Sequence, residues 1–289
     1  MMFDGRMKPV QSGLPIGIFD SGVGGLTVAA AIHARLPRES MLYFGDTARC
    51  PYGDKSPEQV LTFSIQICDF LVEQGIKMLV VACNTATAVA LPFLTERYSV
   101  PVIGVIEPGA SAAANLAQVG RIGVIGTAVT IASGAYERAV KTLRPGAEVV
   151  SLACPRFVPL VERGETRGPM VEALVRESLR PLEEQNVDSL ILGCTHYPLL
   201  QDTIQKVMGP RVTLISSAER TAMEVAEELH AKGMAAQTED VGEQTFYTTG
   251  DGRRMQAFLS EWLGIPESRA DIRRVSPLSM EAVGSHFGL

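Results

Sequence analysis

The chain is expected to be an α/β protein: two doubly wound α/β domains related by pseudo-symmetry. Three observations carry that reading. From Ile16 onward, short apolar runs of strand length alternate with helical runs, the pattern of parallel strands joined by crossover helices. Two of these runs, Met78 to Ala82 and Ser189 to Leu192, end abruptly near a cysteine, Cys83 or Cys194, with polar residues and a helical pattern behind it. The two cysteines are 111 positions apart (194 − 83), and aligning Gly17 with Gly123 gives a similar offset of 106 (123 − 17). That is a weak internal repeat, each half presenting one thiol.

Taken in order, Ile16–Phe19 reads as a strand ending at Asp20-Ser21-Gly22, and Gly22-Val23-Gly24-Gly25 turns into a helix near 26–36. A second strand, Met41–Phe44, runs into Gly45 to Gly53, too rich in turn residues to be regular. Pro57 suits the first position of a long amphipathic helix reaching about Gln74. The Cys83 strand follows, then a helix over 86–95 interrupted by Pro92, then a strand at Val102–Ile106. Glu107-Pro108-Gly109 reads as a crossover, with an Ala-rich helix after it to Gln118.

The second half offers strand Ile122–Ile125 ending at Gly126-Thr127, a helix near 133–143, strand Glu148–Leu152 and helix Pro169–Glu184. The Cys194 strand, strand Val212–Ile215 and helix 221–232 complete it. The tail, a strand and turn at 246–251 and a helix at 254–263, has no counterpart between the halves, so it should return to the first domain. The expected division is a flexible N-terminal extension over 1–15, a first domain of 16–107 plus 217–289, and a second of 108–216.

Composition narrows the function. The 289 residues are 46% hydrophobic and 20% charged, enough to bury a sizeable core. A net charge of −6 gives nucleic acid or an anionic membrane surface no global attraction. No apolar run is long enough to span a bilayer, and the first fifteen residues lack the apolar core of a signal peptide. Five cysteines (50, 68, 83, 154, 194) make no regular disulfide framework, so reduced thiols in the cytoplasm are expected.

Buried cysteine is usually packing. Cys68, on a helix, takes that reading, and Cys50 and Cys154, in loops at strand ends, lean the same way. Cys83 and Cys194 differ because each follows a buried-type strand and precedes polar residues. Three jobs are open to the pair. A redox disulfide is one, though no Cys-x-x-Cys is present. Zinc on Cys83, Cys194 and His196 is another, short of a fourth ligand. Proton transfer is the third: thiols near helix N-termini, on opposite faces of one carbon, would take a proton from one side and return it from the other. Asp20 could serve as an acid/base auxiliary, and His196 could tune Cys194. Ser21, Asn84, Thr85 and Thr195 could cap helices or bind a substrate's charged groups. The glycines at 22, 24 and 25 miss the third glycine of a dinucleotide fingerprint, since position 27 is Thr. No lysine ends a strand in a site-like loop except Lys55, so no organic cofactor is expected.

Five stretches together resemble the glutamate racemases of the aspartate/glutamate racemase superfamily: IGIFDSGVGGLTV (16–28), YFGDTARCPYGDKS (43–56), VVACNTATA (80–88), PVIGVIEPG (101–109) and LILGCTHYPLL (190–200). The resemblance runs from Ile16 to about Leu263. It implies two domains facing across a cleft that holds the active site, and cofactor-independent interconversion of L- and D-glutamate, with D-glutamate going to peptidoglycan. No metal is expected at the site, and stoichiometric zinc in the purified protein would reopen that reading. Cys83 and Cys194 would be the acid/base thiols, the first acting on the D- and the second on the L-enantiomer. Asp20 would assist Cys83, His196 would assist Cys194, and Glu162 would be a supporting carboxylate. Substrate contacts would come from Asp20, Ser21, Tyr52, Gly53, Asn84, Thr85, Thr195 and His196, with Thr127 and Thr130 as further contributors. A homodimer is implied, with neither nucleic acid nor membrane as partner. Two rivals stay open: a racemase of another small amino acid such as aspartate, and a regulatory binding protein on this fold, for example an inhibitor of DNA gyrase.

Overall fold

The computed structural model describes residues 12–116, 120–263, 265 and 270–277. Among them, ten strands form two parallel sheets. The first sheet contains β1 (Ile16–Asp20), β2 (Met41–Gly45), β3 (Met78–Val81), β4 (Val102–Gly104), β9 (Gln244–Thr248) and β10 (Asp271–Arg274). Its order is β10-β9-β2-β1-β3-β4. The second contains β5 (Arg121–Gly126), β6 (Glu148–Ala153), β7 (Ser189–Gly193) and β8 (Thr213–Ile215), in the order β6-β5-β7-β8. The second order is that of the first sheet's β2-β1-β3-β4, element for element.

The repeat holds at the level of register. Gly17 pairs with Leu79 and Gly123 with Leu190. The step from Leu79 to Leu190 equals that from Cys83 to Cys194. Both cysteines therefore leave corresponding strands at corresponding heights, at the carboxyl end where α/β sheets bind ligands.

Burial explains why the strands read as continuous apolar runs. Ile16, Ile18, Met78 and Val80 face one side of the first sheet, where α1 (Leu26–Arg35) and α10 (Ala218–Ala231) supply Ile32, Val225 and Leu229. Phe19, Phe44, Leu79 and Val81 face the other, where α2 (Pro57–Glu73) and α3 (Asn84–Arg97) supply Ile67, Leu71 and Leu94. Both faces are covered, so both sets are apolar. Each such side chain, fully buried, contributes roughly 1.5–3 kcal/mol. In the second sheet α4 (Ile106–Ala114) and α6 (Ala135–Leu143) cover Ile122, Val124 and Ile191. The other face packs on α8 (Pro169–Glu184) and α9 (Gln201–Met208) through Val175, Leu179, Leu190 and Ile204.

Several elements depart from the expectation. Glu107-Pro108-Gly109 lies inside α4 rather than forming a crossover. Pro108 falls in the helix's first turn, where its missing N–H has no intrahelical partner to lose. β4 is correspondingly shorter, and α4 ends at Ala114; residues 117–119 lie outside the described residues. The helix after Cys83 continues through Pro92 to Arg97. A short helix, α5 (Ala128–Ala132), precedes α6, and α7 (Phe157–Glu162) and β10 were not expected at all. The tail does return to the first sheet: β9 pairs with β2, and α11 (Gly252–Leu263) leads to β10. Of the anticipated N-terminal extension, residues 1–11 lie outside the described residues.

The end of the first sheet away from the cysteines is tied by charge. Lys77, fully buried, sits 2.5 Å from Glu39 Oε2 and donates to the Ser12 and Met234 carbonyls at 2.8 and 2.9 Å. A buried cation needs that many partners to be tolerated.

Candidate active site

Cys83 is the residue just before α3, in extended conformation, and its Sγ accepts from the Ala86 backbone N–H at 3.5 Å. It therefore stands at a helix N-terminus, as its strand-tip position predicted. Its sulfur also lies 3.6 Å from Ser21 Oγ. Burial, reinforced by the Asp20 carboxylate, pushes the thiol up to about 12, and the Ala86 N–H and Ser21 only partly offset this.

Asp20 ends β1 and is fully buried. Its Oδ2 accepts from Gly22 N at 2.8 Å and its Oδ1 from Thr195 Oγ1 at 3.1 Å. Burial raises its pKa, against the pull of the His196 charge and these donors. Asp20 thus reaches Cys83 through charge while its hydrogen bonds go elsewhere, one of them across to the second sheet's loop.

Cys194 follows β7, but what comes after is a 3-10 turn, Tyr197–Leu200, running into α9 rather than the start of an α-helix. The helix-terminus device at Cys83 is not repeated. Its substitute is a side-chain chain: Cys194 Sγ lies 3.9 Å from His196 Nδ1, and His196 Nε2 lies 2.6 Å from Glu162 Oε1 at the end of α7. Arg254 of α11 reaches Glu162 Oε2 at 2.5 Å and also donates to the Glu162 carbonyl. Burial alone would lower the His196 pKa, yet Cys194, Cys50 and Glu162 together hold it well above the usual imidazole range. Burial would raise Glu162, but His196 and Arg254 keep it low.

The remaining predicted contacts gather at the same place. Thr85, Thr127 and Thr130 form a triangle of hydroxyls at 2.9, 3.2 and 2.9 Å, bringing the two sheets' loops together. Thr127 caps α5 through the Thr130 N–H. Tyr52 lies in a 3-10 turn, Tyr52–Asp54, with its hydroxyl donating to Asp46 at 2.5 Å. That hydroxyl is committed, which leaves the ring and backbone to face a ligand. Gly53 sits so close to Thr127 that a Cβ would come within 2.6 Å of it. Gly24 would meet His196 Nδ1 and Thr195 Oγ1 at 2.6 Å. The glycines after β1 serve this close approach.

Asn84 carries the most informative polar atom. Its Oδ1 accepts from Tyr136 OH at 2.6 Å, whereas its Nδ2, buried, has no hydrogen-bond partner. An unpaired buried N–H costs about 1–3 kcal/mol, and a ligand carboxylate would recover that cost. Tyr136, near the start of α6, was not anticipated as a site residue. In the sequence it is one apolar position on an amphipathic helix; the small residues that make room for it, Gly109 and Gly193, come from distant elements. Arg254 was missed for a similar reason.

Cys83 and Cys194, with Ser21, Asn84, Thr127 and His196, line one small cavity of about 10 Å³. That is about the room one water needs. All five cysteines are free thiols, and Cys68 is fully buried within α2. No helix among the described residues is long and apolar enough to cross a membrane.

Two thiols stand at the tips of equivalent strands and face one small polar chamber, and the comparisons with known proteins place the chain among the racemases. Residues 26–225 match the Asp/Glu/Hydantoin racemase family, and the chain belongs to that family. It is 50% identical over 251 residues to the glutamate racemase of Exiguobacterium sibiricum, covering 87% of this chain and 93% of that one. Against the glutamate racemase of Oceanobacillus iheyensis, identity is 53% over 82% of this chain and 86% of that one. The crystal structure of glutamate racemase isoform RacE1 from Bacillus anthracis superposes with a TM-score of 0.88 at 44% identity, covering 92% of this chain and 99% of that one. The Francisella tularensis glutamate racemase, solved in complex with D-glutamate, gives 0.85 at 35% identity, over 92% and 98%.

Proposed function

We propose that this protein interconverts L- and D-glutamate by a two-thiol mechanism that requires no cofactor. The observation that carries the reading is the shared chamber lined by Cys83 and Cys194. Glutamate as substrate draws support from relatives of about half identity that bear that name, and from the D-glutamate bound in the Francisella enzyme.

The Asn84 amide N–H and the threonine hydroxyls hold the substrate α-carboxylate, and Asp20 attracts its ammonium. Cys83 and Cys194 then flank Cα. One thiolate takes the Cα proton while the opposite thiol delivers its own to the other face. A thiol near 12 is about five units above neutral pH, so the resting thiolate population is small. The substrate ammonium, placed between Asp20 and Cys83, lowers that cost when it arrives. On the other side His196, held by Glu162, exchanges the proton with Cys194. Donors fixed on the carboxylate in a chamber without bulk water stabilise the charge that develops as Cα is deprotonated. The cavity is far smaller than glutamate, so the lobes must part for entry and close for reaction.

The division into lobes, 16–107 with 217–289 and 108–216, belongs to this reading. So do a homodimer, a cytoplasmic setting, which five free thiols support, and the supply of D-glutamate for peptidoglycan. The test is incubation with each enantiomer in deuterium oxide without added cofactor, following optical rotation and deuterium at Cα. Loss of rotation with deuterium uptake, abolished by Cys83→Ala and by Cys194→Ala, is expected. No exchange with glutamate, or equal efficiency on aspartate, would reject the assignment.

A further inference from the structure

Cys50 has no part in the reaction just described, yet it stands beside the second thiol's support. It lies half-buried on the loop between β2 and the Tyr52–Asp54 turn. Its Sγ is 3.8 Å from Glu162 Oε1, and that oxygen is 2.6 Å from His196 Nε2. The thiol, the carboxylate and the imidazole each have a donor atom within 4.8 Å of the other two. These residues come from a loop of the first sheet, the end of α7 and the loop after β7, so their convergence is tertiary.

The geometry points to an inhibitory site for a thiophilic divalent cation, zinc in the first instance, held by Cys50 Sγ, Glu162 Oε1 and His196 Nε2 with water as a fourth ligand. Ligands at ordinary zinc distances on a tetrahedral ion lie about 3.3–3.7 Å from one another. The Cys50–Glu162 spacing is already close to that. Glu162 and His196 must separate by under about 1 Å, with the ion replacing their hydrogen bond, and Cys50 and His196, whose ligand atoms lie within 4.8 Å of each other, must come to about 3.6 Å. One thiolate, one imidazole and one carboxylate suit a borderline-soft ion and leave magnesium or calcium poorly served. Arg254 holds Oε2 and leaves Oε1 to the cluster. Its positive charge opposes a dication, which makes the site one of reversible occupancy rather than a seat for a resident ion.

Occupancy would take His196 Nε2 and hold the imidazole neutral, with Nδ1 still facing Cys194. Turnover falls because that ring can no longer cycle a proton. The inhibitory consequence rests on the racemase reading, whereas cation binding does not.

The experiment is a titration of cobalt(II), a spectroscopic stand-in for zinc, into the reduced full-length protein. Absorption is read for the thiolate-to-cobalt charge-transfer band and the tetrahedral ligand-field bands. The Cys83→Ala/Cys194→Ala double variant and Cys50→Ala are run alongside. One equivalent of cobalt should give the same band in the wild type and the double variant, and no band in Cys50→Ala. A band that survives in Cys50→Ala, that is lost in the double variant, or that is absent from the wild type overturns the site. Zinc inhibition is measured against each protein's own metal-free rate. The half-inhibiting concentration should rise at least tenfold in Cys50→Ala, and an unchanged value overturns the inhibitory role. If the protein proves not to racemise glutamate, the cobalt titration still decides whether the site exists.

Discussion

The surroundings of Cys83 and Cys194 differ far more than their positions do. The first thiol sits at the N-terminus of a fourteen-residue helix, with a backbone N–H, a serine hydroxyl and a buried carboxylate around it. The second has no such helix, and meets an imidazole backed by a carboxylate and an arginine. Strand order and register repeat between the sheets; the electrostatics do not. A repeated scaffold fixes where two groups stand, and the local loops then decide how each one holds a proton. On the proposed mechanism, mirror-image jobs on a chiral substrate do not need mirror-image sites.

The largest effect should come from removing either thiol. Cys83→Ala and Cys194→Ala are each expected to lower racemisation about 10³-fold or more, since either direction uses both groups. A variant that kept most of its rate would break the symmetry of roles, as circular dichroism of the glutamate pool would reveal. Next, His196→Asn should cost about 10²-fold. Glu162→Gln should cost less, because the imidazole remains while its partner's charge is lost.

A pH profile sharpens the contrast further. The Asp20 carboxylate raises the Cys83 pKa, so Asp20→Asn should lower it and move the alkaline limb of kcat/KM to lower pH. Glu162 raises the His196 pKa, so Glu162→Gln should move the imidazole's titration downward as well, readable by NMR of the ring protons. An Asp20→Asn profile superposable on wild type would detach Asp20 from Cys83. The smallest effect is expected from Tyr136→Phe. It frees the Asn84 amide to turn, and should raise KM for glutamate about tenfold with kcat less affected.

The scaffold and the pair of thiols were legible because both leave local traces. A buried parallel strand must be apolar along its length, so a sudden Cys-Asn-Thr or Cys-Thr-His at its end is conspicuous. Asp20 after Ile16–Phe19 is conspicuous for the same reason. What could not be read is whatever tertiary structure alone assembles. Tyr136 sits on an amphipathic helix like many another tyrosine, and its target, Asn84, is 52 residues away. Arg254 and Glu162 are 92 residues apart on short helices. β10, with Ile272 as the one apolar residue in DIRR, gives no strand signal because it forms the sheet's edge. Glu107-Pro108-Gly109 misled because proline and glycine usually punctuate, whereas here the proline lies in a helix's first turn.

The nearly filled chamber has a consequence for bookkeeping over successive turnovers. In the proposed cycle a proton lifted from Cα stays on the receiving side, on the thiol or, for Cys194, on its His196 partner, while the lobes are shut, and the product leaves with the proton the other side had held. Each cycle therefore releases the protein in the opposite protonation form from the one that bound. On that cycle the protein would carry a record of the last enantiomer it released until solvent rewrites it. Under abundant glutamate that rewriting, rather than chemistry at carbon, would set the pace.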